Sequence, residues 1–179
     1  MDTRTSEERL VLKAQAGDTR AFEVLYRAYQ PSLIRFAIRL TGVEATAQDA
    51  VQDAWIMVAR SLGDLKAPHM FRARIFKAVR WRVLDQLRKR KFEPMPLNEE
   101  AEAVSSAPMK RQQLATSDQL VTLVDSLPEV ERQAVYLFYL EELKCEEIAQ
   151  VLDVPAGTVK SRLNRARSRL MAEAEGDMA

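Results

Sequence analysis

Apolar side chains recur at helical spacing through most of the chain, and the places where that spacing fails divide it into segments. In AFEVLYRAYQPSLIRFAIRL, residues 21–40, Phe22, Leu25, Tyr26 and Tyr29 fall three or four apart until Pro31 interrupts, and a second apolar set follows. That pattern predicts either a pair of helices or one kinked helix. Between 46 and 62, Ala47, Val51, Ala54, Trp55, Val58 and Leu62 form one stripe, while Gln48, Asp49, Gln52 and Asp53 fall on the other side. An amphipathic helix with an acidic, amide-rich outer face is expected. Gly63 and Pro68 then break the helix within GDLKAPHM. From Phe71 onward Phe71, Ile75, Val79, Val83 and Leu87 recur at every fourth position, a single inward stripe that should leave the arginines and lysines between them facing outward.

The periodicity stops after Lys91. FEPMPLNEEAEAVSSAPM holds three prolines, acids, serines and small residues with no sustained apolar period, and reads as an exposed, flexible linker. Helical spacing returns from about Ser117 at Leu120, Leu123, Val124 and Leu127, and restarts after Pro128, a residue suited to the opening of a helix. No internal repeat and no heptad run is present. The expected architecture is all-α: two small helical domains, 1–92 and 117–179, joined by a flexible linker over 93–116.

The last helical stretch, EEIAQVLDVPAGTVKSRLNRARSRL, is laid out as a helix-turn-helix. Ile148, Ala149 and Leu152 give the first helix its inner face, DVPAG supplies a short turn, and Val159, Leu163 and Ala166 give the second helix its own. Lys160, Ser161, Asn164 and Arg165 are then left on the open side near the N-terminal half of the second helix, the part of a recognition helix that meets base edges in the major groove. A plain helical hairpin with a solvated basic face is the alternative reading.

Composition narrows the class. With 179 residues, 47% of them hydrophobic and 30% charged, the chain can bury a core or two small ones, and five Gly and seven Pro among abundant straight-chain residues favour helix. The single cysteine, Cys145, cannot form an internal disulfide. The polar start MDTRTSEERL lacks the apolar stretch of a secretory signal, and no apolar run is long enough to span a membrane. The expected location is the cytoplasm, without membrane insertion.

A formal net charge of +1 argues against a polyanion partner until the charges are read along the chain. From Phe71 to Lys91 there are nine bases and one acid, Asp85. Acids dominate from Asp125 to Glu147, and Gly157 to Met171 carries five bases and no acid. Two separated basic segments imply either two polyanion contacts or two solvated faces. Phe71, Phe76 and Trp81 interleave with the first set of bases, as a surface for unpaired nucleic acid requires. Five residues turn a helix by about 140°, so the three rings cannot share one face. Phe71 lies on the apolar stripe; for Phe76 and Trp81, stacking on bases and packing in the core both stay open.

The order of these stretches resembles the bacterial RNA polymerase sigma factors, specifically the small extracytoplasmic-function type. The resemblance runs through GDTRAFEVLYRAYQPSLIRFAIRL, DAVQDAWIMVARSL, FRARIFKAVRWRVLDQLRKRK and LPEVERQAVYLFYLEELKCEEIAQVLDVPAGTVKSRLNRARSRL, nearly the whole chain outside the linker and tails. It implies that Asp49, Gln52 and Asp53 dock on the polymerase clamp helices. It implies that GDLKAPHM and the basic helix, through Lys66, His69, Arg80, Arg88, Lys89 and Arg90, hold the melted minus-ten element, where flipping a base costs a few kcal/mol. Lys160, Ser161, Arg162, Asn164 and Arg165 would read the minus-thirty-five duplex. Core RNA polymerase, promoter DNA and an anti-sigma factor are the implied partners. Three positions depart from the family's usual pattern: Arg74 stands in place of Trp, Trp81 in place of Asn, and Asn164 where an aromatic is frequent.

No cofactor, metal or catalytic residue is expected. His69 is the only histidine and lies in a different domain from Cys145, and no Gly-rich phosphate loop appears. His69 reads as a loop residue and Cys145 as a partly buried helical one. The acid pairs at 141–142 and 146–147 read as solvated helix faces. A regulator using only the helix-turn-helix, or a sigma-like decoy for an anti-sigma factor, are the competing functions.

Overall fold

The computed structural model describes residues 3–92 and 123–176, with side chains over 5–89 and 123–173. The linker expected over 93–116 lies outside these residues, as do Leu120 and the start expected at Ser117. The chain divides into two compact units, Met1–Met109 and Lys110–Ala179. Among the described residues every regular element is helical.

In the first unit, helix α1 (Thr3–Gln15) packs on α2 (Thr19–Thr41), and α3 (Glu44–Arg60) lies against both α2 and α4 (Phe71–Phe92). Asp18 opens α2 by accepting hydrogen bonds from the Arg20 and Ala21 N–H groups at 2.9 and 3.1 Å, pairing donors that a helix start leaves orphaned. Gly42 closes α2 in the left-handed conformation (φ 69°), its N–H bonded to the Ile38 carbonyl. Pro31 neither splits nor ends this helix: α2 runs through it for 23 residues. A proline forfeits one backbone bond, and the buried side chains on both sides of it, Leu25, Leu33 and Phe36, hold the two halves to the same core.

The stripe foreseen in α3 is the observed one: Ala47, Val51, Ala54, Trp55, Val58 and Leu62 are all buried. Trp55 is the centre of a ring cluster, with Phe22 edge-on at 5.6 Å, Tyr26 at 5.0 Å and Phe71 at 6.4 Å between centroids. Its indole N–H donates to Gln30 Oε1 at 2.7 Å, so the one polar atom of this buried tryptophan is satisfied. On α4, Phe71, Ile75, Val79 and Val83 are buried as expected, whereas Leu87, the last member of the stripe, is half-buried. The helix buries more than that stripe, however, because Ala73, Phe76 and Ala78 are also inside.

The segment between α3 and α4 forms two short 3-10 turns, Leu62–Asp64 and Pro68–Met70. It is tied from both sides. Gln15, the last residue of α1, donates from Nε2 to the Leu62 and Leu65 carbonyls at 3.0 and 2.8 Å. Arg74, expected to face outward, instead turns its guanidinium onto the Ser61 carbonyl and Oγ at 2.9 and 2.8 Å.

In the second unit, residues 123–126 are helical, α5 (Glu129–Val135) follows Pro128, and a wider helical turn, Tyr136–Leu140, continues it. Helices α6 (Cys145–Leu152) and α7 (Ala156–Gly176) form the helix-turn-helix, with α7 packed on both α5 and α6. Ile148, Val151 and Leu152 of α6 and Val159, Leu163 and Ala166 of α7 are buried, as are Leu127, Leu137 and Leu143, whereas Ala149, expected on the inner face, is half-buried. Asp153 makes the turn at φ 54°, a backbone conformation that Asp tolerates better than most residues. The Pro155 carbonyl then opens α7 by accepting from the Thr158 and Val159 N–H groups.

The acid pairs are not uniformly solvated. Glu141 and Glu147 are buried, whereas Glu142 and Glu146 are exposed. Glu141 and Glu142, expected on a helix face, lie instead in the connection before α6, with Glu142 at φ 51°. Glu146 and Glu147 lie in the first turn of α6, where neighbours point about 100° apart, so one turns inward as the other turns out. Glu147 is held there by the Lys144 N–H, which donates to its Oε2 at 2.7 Å, the reciprocal half of a capping box. Cys145 is half-buried at the first position of α6.

Candidate nucleic-acid interface

Three surfaces gather the side chains singled out from the sequence. The first is the outer face of α3. Asp49, Gln52 and Asp53 are exposed at spacings of three and four, which align them along one side of the helix, with Gln48 beside them. Gln48 Nε2 donates to Glu44 Oε1 at 3.1 Å, extending the acidic and amide row to the helix start.

The second surface comprises the tied segment 61–70 and α4. Lys66 and His69 are exposed on the segment that Gln15 and Arg74 fasten. Arg80 is half-buried, and Arg88 and Lys89 are exposed farther along α4. Arg80 and Arg88 are eight residues, about 12 Å, apart along the helix and within about 80° in direction, whereas Lys89 is about 100° further round from Arg88. Lys89 Nζ pairs with Asp85 Oδ2 at 2.9 Å, the lysine exposed and the aspartate half-buried. Arg90 belongs to α4, but its side chain is outside the described set.

The rings sort cleanly. Phe76 is fully buried, edge-on to Phe36 at 5.4 Å between centroids, so it packs in the core. Trp81 is 52% exposed, with the Arg82 guanidinium 5.0 Å from its ring centre. A large aromatic face beside cations is therefore present on this surface, and Trp81 alone supplies it among the three rings considered.

The third surface is the first half of α7. Lys160, Ser161, Asn164 and Arg165 are all exposed, on the side opposite Val159, Leu163 and Ala166, and Arg162 is half-buried. Ser161 Oγ donates back to the Gly157 carbonyl at 3.0 Å. Arg165 is not free in solvent: its Nε donates to Glu131 Oε1 of α5 at 3.2 Å. Arg169 Nε lies 3.1 Å from Glu131 Oε2, close enough to pair electrostatically although not aligned as a hydrogen bond. Farther along α7, Arg167 Nη2 donates to Tyr139 Oη at 3.1 Å, linking this helix to the wide turn after α5.

Several of the residues that hold these surfaces in place carry no mark in the sequence. Gln15, Glu131 and Arg169 act across 34 to 50 positions or from outside the motif, and no local spacing marks them. Arg74 carried one hint, as the departure from a usual Trp, but not its direction.

Among the described residues no group of His, Cys, Asp and Glu is placed to hold a metal ion, and no helix is long and apolar enough to cross a membrane. The three surfaces instead offer one acidic face and two basic ones, the second of these on a helix-turn-helix.

Comparison with known proteins gives the same order of parts. The Sigma-70 region 2 family matches residues 25–93, and the Sigma-70, region 4 family matches residues 117–170. The chain is 30% identical over 165 residues to the ECF RNA polymerase sigma factor SigM of Mycobacterium tuberculosis, covering 92% of this chain and 83% of that one. It is 29% identical to the RNA polymerase sigma-H factor of Pseudomonas aeruginosa, over 95% of this chain and 94% of that one, and 29% identical to the ECF RNA polymerase sigma-E factor of Escherichia coli, over 95% of each. Among solved structures, the fold is similar to CnrH in complex with the cytosolic domain of CnrY, with a TM-score of 0.66 and 21% identity over 96% of this chain and 98% of that one. It is also similar to the sigma factor RpoE in complex with the anti-sigma factor NepR from Bartonella quintana, with a TM-score of 0.64 and 24% identity over 86% and 96%. With both regions present in order and relatives aligned over nearly their full length, the chain belongs to the extracytoplasmic-function RNA polymerase sigma factors.

Proposed function

We propose that this chain binds core RNA polymerase in the bacterial cytoplasm, directs it to promoters carrying minus-ten and minus-thirty-five elements, and performs no catalysis of its own. The observation that carries this reading is the alignment through both regions at once with extracytoplasmic-function sigma factors, over 92% to 95% of the chain. The working units are residues 1–92 and 117–179, with 93–116 connecting them.

Each surface has a part in this reading. The acidic and amide row of α3, Asp49, Gln52 and Asp53, docks on a basic face of the polymerase. Lys66, His69, Arg80, Arg88, Lys89 and Arg90 hold the melted minus-ten strand, with cations on its phosphates. Preorganisation supports that role, since a segment tied by Gln15 and Arg74 has little ordering left to do when a flipped base arrives. Lys160, Ser161, Arg162, Asn164 and Arg165 read the upstream duplex from α7, lying in the major groove. An anti-sigma factor that covers the α3 and α7 surfaces would hold the free protein inactive.

Selection tests the reading. Core polymerase, the full chain and a pool of genomic fragments are mixed, and retained DNA is sequenced. Enrichment of fragments sharing two spaced elements, dependent on both core and this chain, is expected. Enrichment by the chain without core would mark an ordinary helix-turn-helix regulator, and failure to bind core would mark a decoy.

A further inference from the structure

Glu131 lies in the first turn of α5 with its side chain 5% exposed. A carboxylate at that depth is costly unless paired, and its partners both come from the recognition helix: Arg165 Nε at 3.2 Å from Oε1 and Arg169 Nε at 3.1 Å from Oε2. The two arginines stand one turn apart on α7, where like charges repel, and the carboxylate between them offsets that repulsion. Their side chains nonetheless remain 58% and 55% exposed. Arg165 is thus hydrogen-bonded at its Nε edge, and Arg169 is paired electrostatically at the same edge. An arginine fork has five donors in one plane, so an arginine anchored at Nε keeps its two terminal nitrogens for a phosphate or for the O6 and N7 of a guanine.

Resting on the reading of α7 as the upstream recognition helix, we propose that Glu131 is a positioning residue for DNA recognition. It fixes the direction of Arg165 and Arg169, so that duplex DNA meets two arginines already oriented. Without the carboxylate both side chains keep their charge and their attraction for phosphate but lose their aim. Specific binding therefore depends on Glu131 although a negative charge beside DNA weakens binding in general.

The two effects have opposite signs, and that makes them separable. The measurement uses holoenzyme assembled from core polymerase and the full chain, with two probes: a promoter fragment that it selects, and the same fragment with the upstream element scrambled. Glu131→Gln keeps the shape and removes the charge. The affinity ratio between the probes is expected to fall roughly tenfold, the scale of one oriented base contact, while affinity for the scrambled probe rises as the surface gains a net positive charge. Arg165→Lys provides a second route should Glu131→Gln fold poorly. Lysine keeps the charge but lacks the fork, so the ratio is expected to fall while the salt dependence stays the same. Adding Glu131→Gln to Arg165→Lys should then lower the ratio much less than it does alone.

Variants that melt earlier yet keep the wild-type ratio would overturn the inference and leave Glu131 a purely structural partner. A wild-type holoenzyme that binds both probes equally would instead remove upstream recognition itself, and the inference with it.

Discussion

Phe76 and Trp81 sit five residues apart on one basic helix and meet opposite surroundings. The step between them turns the helix by about 140°, and α4 spends it by burying Phe76 against Phe36 while leaving Trp81 half in water beside Arg82. Phe76→Ala should therefore cost about 3–5 kcal/mol, the price of a large cavity in a packed core, read as a lower denaturation midpoint. Trp81→Ala should stay within about 0.5 kcal/mol of the wild type yet weaken holoenzyme binding to a fragment with an unpaired downstream element, because a stacking face is lost. The sequence established that the two rings could not share a face and stopped there, since the every-fourth stripe was too narrow to say which flank of α4 a neighbouring helix covers. The acids show the same limit: nothing in "EE" tells which glutamate a backbone N–H will draw inside, as Lys144 draws Glu147.

Elements with one clean buried face were legible in advance. Every residue of the α3 stripe is buried and the opposite acidic row is exposed, because a helix packed on one side translates period directly into burial. The α2 helix was less so, since Pro31 left a pair of helices and one kinked helix equally open, and packing on both sides of it keeps a single helix. Its start rests on Asp18, and Asp18→Ala should lower stability by about 1 kcal/mol in a denaturant titration, with the slope unchanged. Segment 61–70 was read only as an interruption. What gives it shape is Gln15, whose contacts lie 47 and 50 residues away and leave no trace in any periodicity. Gln15→Ala should loosen this segment without unfolding the unit: backbone amides at 62–70 are expected to exchange hydrogen faster, while those in the middle of α3 keep wild-type protection.

Across the whole molecule, a formal charge of +1 conceals surfaces of opposite sign. The acidic row of α3 and the basic faces of α4 and α7 are suited to different partners, so a change on one should spare the other. Asp53→Lys places a cation in the middle of the acidic row, on an exposed side chain that supports no core contact. It should weaken affinity for core polymerase about tenfold or more in a competition assay, and leave the melting temperature and the DNA-reading helix unaffected. Wild-type affinity in that variant would exclude Asp53 from the docking surface. The function as a whole is tested most directly by transcription: core polymerase, this chain and genomic promoter fragments, with the 5′ ends of the transcripts mapped by sequencing. Defined starts, absent without the chain and preceded at fixed distances by two shared elements, are the expected result. Transcripts with scattered starts, the same with and without the chain, would contradict it.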